Sequence, residues 1–238
     1  MHKSSLENMA RLRDRHLATL HDGEMLEVLD IGAMSLNGAY RGLFDPLRWK
    51  YSGLDLAAGP NVDIVVEDPY DWPIADARFD AVVSGQVFEH IEFFWLSILE
   101  IRRVLKPGGL AFIVAPSRGP QHRHPVDCWR FYPDAHAAMA KWGGLELLEV
   151  NNPWKLDAGI DFASMYEWGD SVGVFRRPAG QTYAFGAGFK MAAKAHLREI
   201  AALCVQDNRL AVRTPKSRES YLSFWANVKF RFGKHFLR

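Results

Sequence analysis

Three carboxylates recur at one kind of place in this sequence. Asp30 closes the apolar run Leu26–Ile31 and leads into Gly32-Ala33, and Asp55 closes a second run, 50–56, 23 residues after Gly32. Asp68 follows a third, 62–67. In an open parallel sheet the ligand crevice lies beyond the carboxyl ends of the strands. Small residues there let a ligand approach the backbone, and the helix expected after strand one offers unpaired N–H groups to an anionic group. An acid at the end of strand two can accept hydrogen bonds from ribose hydroxyls, and one at the end of strand three can accept from an adenine amine. Any one of these acids could equally be a solvated turn residue. Three in succession are read as ligand contacts.

A second cluster follows the fifth expected strand, in the run Ser117-Arg118-Gly119-Pro120-Gln121-His122-Arg123-His124-Pro125-Val126-Asp127-Cys128-Trp129-Arg130-Phe131-Tyr132-Pro133. Its prolines and glycine make a long irregular loop at the ligand-binding edge, the usual place for binding and catalytic groups. His122 or His124 can accept a proton near neutral pH while Asp127 orients the ring. Arg123 and Arg130 can clamp a carboxylate or phosphate. The rival reading is a loop paired within itself, Asp127 to Arg130, and anchored by Trp129 and Phe131. No metal site is assigned, because His-x-His with Asp127 lacks a third strong ligand at diagnostic spacing. Glu89-His90 can supply a base, or Glu89 can be a first-turn acid on a helix dipole.

These groups need a scaffold, and the hydrophobic pattern predicts one. Leu6, Met9, Leu12, Leu17 and Leu20 recur at helical spacing over 4–20, with Ser4 or Ser5 as cap. Strands are expected at 26–31, 50–56, 62–67, 79–84, 110–115, 145–150 and 172–176, with helices at 92–105 and 133–142. Pro107-Gly108-Gly109 is expected to stop the first of these helices and turn the chain into strand five. Alternating short strands and helices predict an α/β fold, doubly wound, its mostly parallel sheet covered on both faces.

The chain has 238 residues, 48 % hydrophobic and 24 % charged, values of a globular protein with a core large enough to need no metal or disulfide staple. Cys128 and Cys204 sit in no C-x-x-C pattern, which suits a reducing compartment. With no apolar leader and no run long enough to span a bilayer, the expected location is cytoplasmic. The net charge of +1 hides an asymmetry: beyond residue 180, eleven Lys and Arg face three acids. Three parts are therefore expected: an N-terminal helix over 1–24 covering the ligand pocket, a central domain over 25–178, and a basic helical extension over 179–238 packed on it. The basic segment offers contact with an anionic membrane surface. No nucleic-acid partner is expected, and oligomeric state is not readable.

Taken in order, Leu29-Asp30-Ile31-Gly32, Gly53-Leu54-Asp55, Asp68 with Trp72-Pro73, Phe79-Asp80-Ala81-Val82-Val83-Ser84, Val87-Phe88-Glu89-His90-Ile91 and Arg103-Val104-Leu105-Lys106-Pro107-Gly108-Gly109 resemble class I S-adenosylmethionine-dependent methyltransferases, over about residues 25–150. The likeness is greatest to the small members found with polysaccharide and secondary metabolism. It implies a Rossmann-like seven-stranded sheet, order 3-2-1-4-5-7-6, with strand seven antiparallel. It also implies S-adenosyl-L-methionine as cofactor. Asp30, Gly32 and Ala33 would line its methionine part, Asp55 and Leu56 its ribose, and Asp68, Pro69 and Tyr70 its adenine, with Gln86 on the methyl-donor side. Pro69 has no N–H, which leaves that of Tyr70 as the donor to adenine. The departure is Met34, where the family's loop has its second glycine; Asn37-Gly38 comes later. The resulting expectation is methyl transfer to an oxygen, ahead of nitrogen, of a small molecule or glycan. The rivals are a non-catalytic binding or scaffold protein and a nicotinamide-dependent oxidoreductase, the latter opposed by the absence of G-x-G-x-x-G.

Overall fold

The computed structural model describes residues 3–17, 25–34, 38–151 and 168–180. These lie in one unit, Met1–Thr182. The expected basic helical extension beyond residue 180, Asn37 and Cys204 fall outside the described residues.

Seven strands form one sheet: β1 (Leu26–Ile31), β2 (Trp49–Asp55), β3 (Ile64–Val65), β4 (Phe79–Gly85), β5 (Leu105–Arg118), β6 (Glu146–Asn151) and β7 (Gly169–Arg176). Their order is β3-β2-β1-β4-β5-β7-β6, and β7 runs antiparallel to both its neighbours. The central strands carry apolar side chains on both faces, as strands buried on both sides must. Leu29, Ile31, Val82 and Ile113 belong to one core, and Val28, Ala81, Val83 and Phe112 to the other. Helices α2 (Phe94–Val104) and α3 (Pro133–Gly143) cover the first face through Ile98, Ile101, Met139 and Ala140. Helix α1 (Lys3–His16) covers the second through Met9 and Leu12. Among the described residues, no helix is long and apolar enough to cross a membrane.

The structure departs from the expected elements in several places. The third strand shrinks to two residues, because Asp63 turns back to accept the Gly53 N–H at 2.8 Å and Asp68-Pro69 begins a turn. Between β1 and β2 the described residues hold no α-helix, only a 3-10 turn, Tyr40–Leu43. Helical N–H donors after strand one are thus not available as expected. Pro107-Gly108-Gly109 does not end α2: β5 begins at Leu105, and these residues form a bulge between the Phe79–Leu105 and Ala81–Leu110 pairings, with Gly108 at φ 82°. Ser5 is not a cap; it lies inside α1, buried, 2.6 Å from the Tyr40 hydroxyl.

Candidate functional site at the carboxyl ends of the strands

Because β1, β2 and β4 are parallel, their registers put Asp30, Asp55 and Gly85 at one end of the sheet. Asp30 is buried, and the Tyr51 hydroxyl from β2 donates to it. Burial pushes its carboxyl up to about 7; the Tyr51 hydrogen bond and the Arg41 charge oppose the rise, and Asp55 adds to it. Asp55 ties the loop after β1 to β2, accepting the Met34 N–H at 3.0 Å and the Leu56 N–H at 2.7 Å. Burial raises its carboxyl too, against the N–H groups of Met34, Leu56 and Ala57. Met34 therefore takes the place of a loop glycine by giving its backbone N–H to Asp55. Gly32 and Ala33 both donate to Leu54 O, and Ala33 O accepts from Asn61. Gly32 has φ 72°, and a Cβ there would lie 2.2 Å from Val87, so the turn at the crossover is closed to side chains.

Gln86 follows β4 in the left-handed region at φ 59°. Its Nε2 donates to Asp170 Oδ1 at 2.9 Å, while its buried Oε1 has no partner among the described residues. Asn8 of α1 donates to the other oxygen of Asp170 at 3.1 Å. Asp170 is thus a site residue that sequence spacing does not reveal; it arrives because antiparallel β7 pairs it with Pro116. The third acid behaves differently. Asp68 Oδ1 accepts the Tyr70 N–H at 2.7 Å in an Asx turn, so that N–H is not the free donor expected for adenine. The Tyr70 hydroxyl accepts the Phe93 N–H, and Pro69 O accepts from Trp72 Nε1, which fastens this turn to the start of α2.

The acceptor-side loop closes over the turn Phe88–His90 that follows β4. Cys128 N–H donates to Glu89 O at 2.7 Å, and His90 Nδ1 donates to Val126 O at 2.5 Å. Phe131 is buried, while Trp129 is partly exposed and holds the Ile91 carbonyl through its indole N–H at 3.0 Å. His122, His124 and His90 pack edge to face, with ring centroids 4.8–5.6 Å apart. Asp127 accepts the His122 N–H at 2.7 Å and lies 3.3 Å from its Nδ1. It also takes Arg130 bidentately, at 2.6 and 2.9 Å. The pairing of Asp127 with Arg130 is therefore present, Asp127 holds His122 through the backbone N–H and not through a hydrogen bond to its ring, and Arg130 is not free to clamp a ligand anion. Burial depresses the imidazolium of His124 below its usual range and that of His90 to about 4, so both rings are neutral near pH 7.

Glu89, expected as a base or as a first-turn acid on a helix, stands in the first turn of a three-residue 3-10 turn, and α2 begins only at Phe94. It is 0 % exposed, beneath the histidines, and burial pushes its carboxyl up to about 8.

Comparison with known proteins agrees with this architecture. Residues 44–113 match the family described as methyltransferase domain. A demethylmenaquinone methyltransferase of Staphylococcus carnosus (strain TM300) is 36 % identical over 58 residues, 24 % of each chain. The alignment thus spans about a quarter of that relative. Among solved structures, the 1,6-didemethyltoxoflavin-N1-methyltransferase of Burkholderia thailandensis, with bound 1,6-didemethyltoxoflavin and S-adenosylhomocysteine, has a TM-score of 0.55 at 16 % identity, covering 74 % of this chain and 79 % of its own. The CurJ carbon methyltransferase has 0.56 at 12 %, covering 74 % and 55 %. The [4+2]-cyclase SpnF has 0.51 at 18 %, covering 73 % and 83 %. At these identities the likeness is one of fold.

Proposed function

We propose that this chain, which has the class I methyltransferase fold and a methyltransferase-domain match over residues 44–113, transfers the methyl group of S-adenosylmethionine to an oxygen of a small molecule or glycan. The observation that carries this reading is a pair of buried acceptors at the strand ends. Gln86 Oε1 has no partner among the described residues, and the Asp30 carboxyl is raised to about 7 by burial. Buried acceptors of this kind are costly unless a donor or cation meets them. The α-ammonium of a methionine moiety brings three donors and a positive charge. A carboxylate has about four acceptor sites, so Asp55 keeps capacity for a ribose hydroxyl beside its backbone donors. The residues present fit the cofactor. Asp68 and the turn 68–70 are assigned to the adenine end, and α1, joined to Asp170 through Asn8 and to Tyr40 through Ser5, to covering the pocket.

Bound S-adenosylmethionine supplies an electrophilic methyl on a sulfonium. The protein has to hold an acceptor oxygen in line with that carbon, and positioning alone can account for much of the acceleration. Asp127 holds the backbone of His122, and the loop fixed over Glu89 and His90 forms the acceptor wall. The hydroxyl proton has to leave as the methyl arrives, and His124, neutral because burial disfavours its imidazolium, is the acceptor we assign.

The test is calorimetric titration with S-adenosylhomocysteine, followed by a methyl-transfer screen over sugars and phenols. Asp55→Ala should weaken binding about 10- to 100-fold, ~1–3 kcal/mol, with its fold checked by circular dichroism. An unchanged dissociation constant would overturn the assignment of the cofactor site. Binding without transfer to any acceptor would instead favour a non-methylating use of the pocket, since a [4+2]-cyclase shares this fold.

A further inference from the structure

We propose that Glu89, His90 and His122 form a binding site for a divalent transition-metal cation, with zinc as the type, on the acceptor side of the pocket. The argument begins with Glu89. Its side chain is 0 % exposed, and neither carboxylate oxygen accepts a hydrogen bond from another described residue. Among the described residues, the groups within ion-pair distance of it are the two imidazoles: His90 Nε2 at 3.5 Å and His122 Nε2 at 3.8 Å, both from Oε1. One potential ligand atom from each of the three residues lies within 4.8 Å of the others. A zinc ion at about 2.0–2.2 Å from nitrogen and oxygen ligands sets those ligands roughly 3–3.5 Å apart, so a small contraction of this cluster reaches coordinating geometry.

The surroundings of the rings point the same way. A metal-binding histidine characteristically gives its other ring nitrogen to a carbonyl or carboxylate, which fixes the tautomer and aims the free nitrogen at the ion. His90 does so: Nδ1 lies 2.5 Å from Val126 O, which can only accept, so Nε2 carries the lone pair toward Glu89. On His122, Nδ1 lies 3.3 Å from Asp127 Oδ2 without a hydrogen bond to it, Asp127 holds the residue through its backbone N–H, and Nε2 lies 3.8 Å from Glu89 Oε1. Asp127 is itself fixed by both Arg130 nitrogens. Two unrelated segments, the turn after β4 and the loop after β5, thus each bring an imidazole nitrogen to one carboxylate.

Two imidazoles and one carboxylate suit zinc, iron(II), manganese(II) or cobalt(II). Three protein ligands are the catalytic pattern, which leaves a position for water or a substrate oxygen. Resting on the methyl-transfer reading, the site defines the acceptor class: a hydroxyl compound able to coordinate a metal, such as a catechol or a sugar with vicinal hydroxyls. Coordination lowers the pKa of a bound hydroxyl.

The experiment uses the full chain, stripped with a chelator and titrated calorimetrically with zinc chloride. Elemental analysis supplies the metal content, and cobalt(II) substitution the absorption spectrum. Expected are one equivalent bound, a higher melting temperature with zinc, and tetrahedral cobalt bands that include nitrogen ligation. His90→Ala and His122→Ala should each weaken zinc by at least 10-fold, and Asp127→Asn by about 10- to 100-fold. S-adenosylhomocysteine affinity should be unchanged in His90→Ala, which separates this site from the cofactor site. Failure of the folded wild-type chain to bind zinc, cobalt or manganese stoichiometrically would overturn the proposal. So would equal metal affinity in wild type and the folded His90→Ala/His122→Ala double variant.

Discussion

Replacing Asp30 with Asn should abolish a pH dependence of cofactor binding whose size follows from the structure. In the free protein, burial at the end of β1 holds the Asp30 carboxyl at about 7, despite the hydrogen bond from Tyr51. Roughly a tenth of the molecules would carry the charged form at pH 6 and roughly nine tenths at pH 8. An α-ammonium placed against this group favours the ionised form, so the complex has the lower pKa and binding expels a proton below neutrality. Affinity for S-adenosylhomocysteine should therefore rise about tenfold from pH 6 to pH 8, which is ~1.4 kcal/mol. Calorimetry at pH 6 in two buffers of different ionisation enthalpy should detect the released proton directly. In Asp30→Asn both the slope and the proton release should vanish, while titration of the ligand's own groups cancels between the two proteins. Tyr51→Phe removes the donor that holds the pKa down and should move the rise to higher pH. An equal slope in wild type and Asp30→Asn, or proton uptake on binding, would refute the assignment of Asp30 to the cofactor's methionine end.

Two further predictions concern what positions the site. In Gly85→Ala the new Cβ would lie 1.7 Å from the buried Tyr40 hydroxyl. Overpacking of this kind costs about 1–3 kcal/mol, to be read from urea midpoints; adding Tyr40→Phe should recover part of the loss, and an unchanged midpoint for Gly85→Ala would contradict the packing. His136, buried between α3 and β7 with Nε2 2.9 Å from Ser171 Oγ, is depressed by burial to about 4. Between pH 6.5 and 4 the unfolded chain therefore binds a proton that the folded chain does not, and stability falls as pH falls. This group alone should remove about 2 kcal/mol between pH 7.5 and pH 5, a loss missing from His136→Leu; equal losses in both proteins would exclude it.

The fold was legible where local pattern and tertiary context agree. The apolar runs that became β1, β2 and β4 are strands buried on both faces. Residues 62–67 show where that agreement fails. Val62, Ile64 and Val66 alternate as a strand should, yet this is the sheet edge, where pairing is available on one side only. The Asp63 side chain takes the Gly53 N–H and pairs with Arg41, while its backbone N–H still donates to Gly53 O, so regular pairing is confined to Ile64–Val65. The described part of the link before β2, which holds no α-helix, has a similar origin. Arg41 reaches back over Tyr51, its carbon 4.3 Å from the ring centroid, and hydrogen-bonds Asn61, so the link is held by side chains where helix hydrogen bonds were expected.

The candidate site divides along the same physical line. Asp30 and Asp55 were readable because a parallel register places every strand end on one edge, so sequence position alone gives spatial position. The histidine cluster was readable only in half. His122, His124 and Asp127 share one loop, but α2 and β5 intervene between them and Glu89-His90. No sequence spacing encodes that meeting; it depends on the Cys128 N–H to Glu89 O bond and the His90 to Val126 bond that dock the loop on the turn. Both bonds run to backbone carbonyls, which any residue could offer, so they leave no trace in residue identity. What the structure does show is the cost: a buried glutamate with no other described residue's donor on its carboxylate. A fold keeps such a group only if something outside the described residues meets it. Among the described residues the geometry supports two candidates, a metal ion on the paired imidazoles or a proton on Glu89 itself. Zinc titration decides between them, because only the first requires His90 and His122 to act together.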